Sequence, residues 1–449
     1  MEKISLKYER NVTMKDMKQS RRARRSKRSP WWAIIVALLV LGAVAWTLFS
    51  WQPWQLGKVA IDKEVDKEVS EETATESVHL EDEVAENEVT VEPYTIRLSF
   101  VGDLLMHIGL NDTAHNPEEG TYDYSPMLEY VAPHIKPSDV AFANLETTFS
   151  GEERGYGGYP LFNTPDAFLD AIVETGFDLL NTTNNHSFDG QVEGLIRTTE
   201  LVASTDGIDP IGTYADTPES RVHYREVEDT TIAFLTYAEM FNGIVDPVED
   251  RELLLQHANF IDEELILEDI EEAKKQGVDF IVANMHWGTE YHTEPNDFQR
   301  QYTELLVENG VDLVIGGHPH VIQPAEVVEH GGNKAFVIYS LGNFLSNQRI
   351  ETLGAEMAST EDGVILHLDI EVNEDKMTLS NVEFEPTWVY REGGPIYDYH
   401  VLPIEDFLEN PRFAEHYLDR LEASKARTEE VLGMYGIFEE TFNFELGIN

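Results

Sequence analysis

The order of apolar and polar residues divides this chain into three textures. From Trp31 to Phe49 the apolar run carries no charge and has about the length a membrane-spanning helix needs. From Lys58 to Pro93 acids alternate with Val, Thr and Ser, and large apolar side chains are too few to build a core. From Tyr94 onward, short runs rich in β-branched and aromatic residues alternate with stretches at helical spacing, the pattern of an α/β domain.

The predicted strands are Thr95–Val101, Val140–Asn144, Phe177–Asn181, Thr231–Tyr237, Asp279–Asn284, Val311–Ile315 and Ala335–Tyr339. Helices are predicted between them at Pro165–Glu174, Val192–Ser204, Asp262–Gln276 and Asp297–Asn309. Further on, Gly363–Val372 and Met377–Phe384 alternate around Asn373-Glu374-Asp375 and predict an antiparallel hairpin completing one edge of a sheet. A charged helix is expected over Phe413–Leu432. The expected segments are an arm at 1–30, a span at 31–49, a tether at 50–93, a domain at 94–390 and a helical extension at 391–449.

Charge gives the chain an orientation. Arg21, Arg22, Arg24, Arg25, Lys27 and Arg28 precede the apolar run and acids follow it, so the basic arm belongs in the cytoplasm and the rest outside. Ala43-Val44-Ala45 resembles a signal-peptidase site, but the apolar run continues through Trp46, so an uncleaved single-pass membrane anchor is the expectation. The 449 residues carry a formal charge of -52, and the exported part lacks the basic face that nucleic acid requires. With no cysteine in the chain, a large core rather than a disulfide framework must hold the exported domain.

Candidate chemistry follows the predicted strands. Gly316-Gly317-His318-Pro319-His320 comes directly after an apolar run, where a strand passes into a loop and parallel sheets keep their ligands. The other strands lead into Gly102-Asp103, Asn144-Leu145-Glu146, Asn184-Asn185-His186 and His286-Trp287-Gly288. Taken singly, Asp103 or Asn185 can cap a helix and His286 can be a satisfied core histidine. Taken together, carboxylate, amide oxygen and imidazole form a mixed ligand set for divalent first-row ions that bind phosphate and activate water.

These segments, with Gln323 and Ser340-Leu341-Gly342-Asn343-Phe344, resemble the CapA family of capsule proteins over roughly Ile96 to Asn347. That family is linked to poly-gamma-glutamate synthesis or anchoring and belongs to the calcineurin-like metallophosphoesterase superfamily. The resemblance implies two central β-sheets flanked by helices, and two metal ions (Mn, Fe or Zn). Asp103 and His320 look like ligands of one ion, Glu146 like the bridging carboxylate, and Asn185, His286 and His318 like ligands of the other. His186 is similar to the histidine that lies near the leaving group as general acid. Implied partners are the membrane, synthase subunits and an anionic envelope polymer; the competing function is a non-catalytic scaffold or polymer-binding subunit.

The chain departs from the superfamily pattern in two places. Leu105 stands where a histidine normally follows the first aspartate, with His107 two residues further on, and Glu146 replaces the usual bridging aspartate. Around the site, His107, Asn144, Glu290, Gln323 and Asn343 are candidates for orienting ligands or touching substrate, Glu290 in particular as an acceptor behind a ligating histidine. Tyr156, Tyr159, Asn163 and Thr164 fall in or beside the Gly-rich stretch Gly151–Pro160, either an ordinary surface loop or a mobile cover for the cleft.

Overall fold

The computed structural model describes residues 92–447, apart from 375 and 395. The basic arm, the predicted span and the tether up to residue 91 lie outside these residues, and no described helix is long and apolar enough to cross a membrane.

The chain first lays down β1 (Tyr94–Leu104), a small hairpin of β2 (His115–Asn116) and β3 (Thr121–Tyr122), then β4 (Val140–Leu145), β5 (Leu179–Asn181) and β6 (Asp209–Ile211). Next come β7 (His223–Val227), β8 (Thr230–Ala238), β9 (Phe280–His286), β10 (Leu313–Gly317), β11 (Ala325–His330) and β12 (Asn333–Ile338). Last are β13 (Asn343–Leu345), β14 (Asp362–Asn373), β15 (Lys376–Gly393), β16 (Tyr397–Pro403) and β17 (Phe444–Leu446).

Beyond the small hairpin, these strands form two sheets. One runs β16-β15-β14-β1-β4-β5-β6, with β13 beside β1 and β17 beside β15; the other runs β11-β12-β10-β9-β8-β7. In the first, β1, β4, β5 and β6 are parallel, β6 forming the edge, as are β8, β9, β10 and β12 at the centre of the second. Parallel strands buried on both faces require apolar residues on both, which explains the near-continuous apolar runs of all of these but the edge strand β6. Phe100, Phe142, Phe234, Phe280, Ile315 and Phe336 fill the layer between the sheets, each contributing about 1.5–3 kcal/mol.

The outer faces are covered by helices. Ala167–Thr175 packs on the first sheet through Phe168 and Ile172. Glu263–Gln276 and Asp297–Glu308 cover the second through Ile266, Ile270 and Leu306. The expected layered sandwich of two sheets flanked by helices is therefore what forms, and all four predicted helices appear within two residues of their expected ends.

Three expectations change. The predicted hairpin exists as β14 and β15, but β14 lies directly against β1 and β16 continues beyond β15, so the hairpin is inside the sheet rather than at its edge. The third strand is shorter than Phe177–Asn181, and His286 is the last residue of β9 rather than a residue beyond it. β6, β7, β11 and β16 carry no long apolar run; β7 reads His-Tyr-Arg-Glu-Val and is half-exposed at a sheet edge. The C-terminal helix, Pro411–Leu432, packs on β14 and β15, where Arg427 forms a two-pronged ion pair with buried Asp362 (2.7 and 2.7 Å).

Candidate metal centre

Parallel strands joined by crossovers bring their C-terminal ends to one rim, and here the rims of both sheets meet. β1 delivers Asp103 through an irregularity in its pairing with β4 between Phe100 and Asp103, the kind of local break that re-aims a side chain. Gly102 makes this possible: a Cβ there would lie 1.8 Å from the Gly342 carbonyl oxygen. The Asp103 amide then donates to that carbonyl (3.0 Å), tying β1 to the turn before β13.

The histidine turn after β10 is held in an uncommon backbone conformation. His318 has φ 95° and His320 φ 59°, a region where non-glycine residues are infrequent and which, at buried sites, accompanies function. The Asn343 side chain donates to the His320 carbonyl (3.2 Å), to the Thr360 carbonyl (3.0 Å) and to the Gln348 side chain (3.0 Å), bracing this turn from below.

Two groups of ligand atoms converge, each within 4.8 Å: Glu146, His286 and His318, and Asp103, Glu146 and His320. All five side chains are buried, and Glu146 belongs to both groups. Its Oε1 has no hydrogen-bond partner and lies 3.7 Å from His320 Nε2, 3.9 Å from His286 Nε2 and 4.0 Å from His186 Nε2. Those separations are too long for hydrogen bonds. They suit atoms flanking a common ion, whose ligand bonds of about 2.0–2.2 Å put neighbours about 3–4.4 Å apart. The buried unpartnered oxygen and the mixed carboxylate and imidazole set fit divalent metal ions.

Electrostatics points the same way. Burial pushes the Glu146 carboxyl well above the usual carboxylate range, and Asp103, Glu290 and Asp189 push it further. Burial, with His318 and His320 nearby, holds His286 well below the ordinary imidazole value, and His318 is lowered to about 3 by burial and its histidine neighbours. His286 and His318 are thus neutral imidazoles, the metal-binding form, beside a buried carboxylate.

The structure brings the rest of the expected set together with distinct roles. Asn185 Oδ1 stands 2.8 Å from His286 Nε2, so its amide oxygen joins the second group. Asn144 donates to Asp103 Oδ1 (2.7 Å) while its own oxygen accepts from Asn181 (2.8 Å) and Asn184 (3.2 Å), which aligns the first carboxylate. Leu105, in place of a histidine, is buried. His107 does not replace it: its ring packs edge-on against Phe162 and its Nδ1 accepts from the Asn347 amide (3.3 Å).

Two of the candidates do not stand behind a ligating histidine. Glu290 is exposed on a cavity wall instead of standing behind a histidine, because the chain turns outward after Trp287. Gln323 is fully buried, accepting from Gln299 (2.7 Å) and donating to the carbonyls of His292 (2.8 Å) and Glu294 (3.2 Å), so it braces the loop after β9.

His186 sits at the edge of the metal centre. The Ser187 hydroxyl accepts from the Asn184 amide (2.7 Å) and donates to the Thr182 carbonyl (2.6 Å), closing the turn that presents the imidazole. Asp189 Oδ2 lies 2.8 Å from His186 Nδ1 and fixes the ring, leaving Nε2 facing Glu146. Asp189 is a functional residue whose only sequence signal is its place three positions after His186. Asn242, exposed and at φ 50°, has its amide nitrogen 3.3 and 3.4 Å from the two ring nitrogens; nothing in the local sequence marks it.

A cavity of about 700 Å³ opens beside His186 and His320, between Leu105, Phe162, Glu290 and Leu353. The Gly-rich stretch forms part of its wall and is tied down: Asn163, buried, donates to the carbonyls of Gly151 (2.9 Å) and Gly155 (2.8 Å). Thr164 pairs with Thr147 (2.7 Å), and Tyr156 packs edge-on against Tyr122.

Residues 97–348 match the family described as "Bacterial capsule synthesis protein PGA_cap". The chain is 30% identical over 253 residues to the PGA biosynthesis protein CapA of Bacillus subtilis, covering 56% of this chain and 63% of that one. It is 26% identical over 262 residues to the capsule biosynthesis protein CapA of Bacillus anthracis, covering 56% and 60%. The matched segment thus spans less than two thirds of either relative. A solved calcineurin-like phosphoesterase, YfkN from Bacillus subtilis, aligns with 74% of this chain and all of its own at 14% identity and TM-score 0.38, too distant to carry an assignment.

Proposed function

The chain belongs to the family of bacterial capsule synthesis proteins of the CapA type, and from that premise we propose that it is a membrane-anchored phosphoesterase working outside the cell in capsule or poly-gamma-glutamate production. The observation that carries this reading is the pair of ligand groups sharing Glu146, with the His186–Asp189 pair beside them.

Asp103, Glu146 and His320 would hold one divalent ion, and Glu146, Asn185, His286 and His318 a second. Bound there, such ions neutralise phosphoryl charge and lower the pKa of an attacking water. The chain's own residues supply the remainder. Asn144 keeps the Asp103 carboxylate aimed into the centre, and the strained His318–His320 turn presents both imbedded rings without rearrangement. As the water oxygen bonds to phosphorus, giving up its proton to solvent, and the ester P–O bond breaks, protonated His186 is placed to hand its proton to the departing alkoxide and is then reprotonated from solvent, while Asp189 stabilises the ring's orientation. The products are the phosphate and the free alcohol.

The test is elemental analysis of the full chain in detergent beside His318→Ala/His320→Ala, together with hydrolysis of a panel of phosphate esters. Two transition metals per chain and ester turnover, both lost in the variant, are expected. Metal without turnover of any ester would instead support a scaffold, and no metal after loading with Mn, Fe or Zn would remove the phosphoesterase reading.

A further inference from the structure

We propose that the cavity beside the metal centre receives an uncharged, apolar alcohol as the leaving portion of the phosphate ester; this rests on the phosphoesterase reading above. The first observation is the composition of its wall. Although the chain carries a charge of -52, large apolar side chains stand in solvent at the cavity mouth: Tyr159 is 78%, Leu161 52%, Leu353 40% and Tyr291 37% exposed. Scattered exposed apolar residues mean little, but a contiguous group at the rim of a concave site marks a ligand surface.

The second observation is where that surface begins. Phe162, buried, meets the His186 ring edge-on with centroids 4.6 Å apart. The group that takes the His186 proton is therefore flanked by Phe162 and, one residue back, by Leu161. The backbone of the wall is also tied down. Gly158 lies so close to the preceding loop that a Cβ would fall 2.5 Å from the Ile108 amide nitrogen, and Asn163 clamps the base of the stretch. A wall whose backbone is already in place lowers the ordering cost of binding.

The third observation concerns charge. Neither lysine nor arginine lines the cavity among the described residues, whereas Glu290 does. Away from the metal ions and His186, which engage the phosphoryl end, a carboxylate entering this space would lose hydration with no lysine or arginine to replace it and would face Glu290. A poly-glutamate chain, with a carboxylate on every residue, is thus a poor occupant. A ring or a branched hydrocarbon chain fits both the wall and the absence of lysine and arginine.

The experiment titrates the full chain, loaded with Mn²⁺, with methylphosphonate, benzylphosphonate, isopentylphosphonate and 4-carboxybenzylphosphonate by calorimetry. At least one of the benzyl and isopentyl compounds should bind tenfold or more tightly than methylphosphonate, and which of them does so separates a ring from a chain as the occupant. The carboxybenzyl compound should bind at least tenfold more weakly than benzyl. The benzyl-to-methyl ratio should fall toward one in Tyr159→Ala/Leu161→Ala, and Glu290→Gln should narrow the gap between benzyl and carboxybenzyl. Equal affinity for benzyl and carboxybenzyl, or an unchanged ratio in the double variant, overturns the assignment while leaving the phosphoesterase reading intact. Failure of every phosphonate to bind the metal-loaded protein overturns that reading, and the pocket assignment with it.

Discussion

Glu146→Gln should stabilise the metal-free protein and at the same time remove its affinity for metal. Glu146 is fully buried, with a ligand oxygen within 4.8 Å of one on Asp103. Two unit charges at that distance repel by roughly 3 kcal/mol at an effective dielectric of about 20. Without an ion, the folded protein either carries that repulsion or binds a proton, as the raised Glu146 carboxyl indicates. Glutamine keeps the shape and an acceptor oxygen but not the charge, and His286 and His318 are held neutral, so neither is left as an uncompensated cation. The gain, after allowance for relaxation of the pair in the parent, is about 1–3 kcal/mol. Urea unfolding at pH 8 in chelator measures it. Because Glu146 is common to both ligand groups, calorimetric titration with Mn²⁺ should show affinity reduced on the order of 100-fold or more. A variant destabilised by more than about 1 kcal/mol in chelator, yet binding Mn²⁺ as tightly as the parent, would show that this carboxylate is structural and refute the reasoning.

Asp189→Asn should leave metal content unchanged while lowering turnover about 10- to 100-fold, because it loosens the His186 ring without touching the ligand groups; loss of metal in the variant would contradict that division of labour. His318 is held at about 3 in the fold against about 6.5 when unfolded, so the unfolded chain takes up its proton first as pH falls. The stability it contributes is complete above pH about 6.5 and lost through the window down to about 3, about 2 kcal/mol of it by pH 5. In chelator, His318→Asn should therefore shrink the loss of stability between pH 8 and pH 5 by about that amount, and an unchanged pH dependence would count against the buried neutral imidazole. Gly102→Ala should destabilise the fold by more than about 3 kcal/mol and impair metal binding, since the new methyl meets the Gly342 carbonyl beneath Asp103; near-parent thermal stability would show that this backbone approach is looser than described.

The α/β class, the central parallel strands, the four helices between them and the strand-end residues of the metal centre are all legible along the chain, because each is a local pattern. Buried parallel strands must be apolar on both faces, and helices declare themselves at 3.6-residue spacing. Family resemblance was equally readable in Asn184-Asn185-His186 and Gly317-His318-Pro319-His320, and the family match over residues 97–348 agrees with it. Only the tertiary structure decided the rest. It put β14 inside the sheet, removed Gln323 and Glu290 from the ligands' support, and assigned that role to Asn144, Asn343 and Asp189. It also joined Phe162 and Leu161 to His186 as one wall. The reason is physical: periodicity records whether a side chain is buried, whereas which partner it meets across tens or hundreds of residues is set by how the two sheets pack.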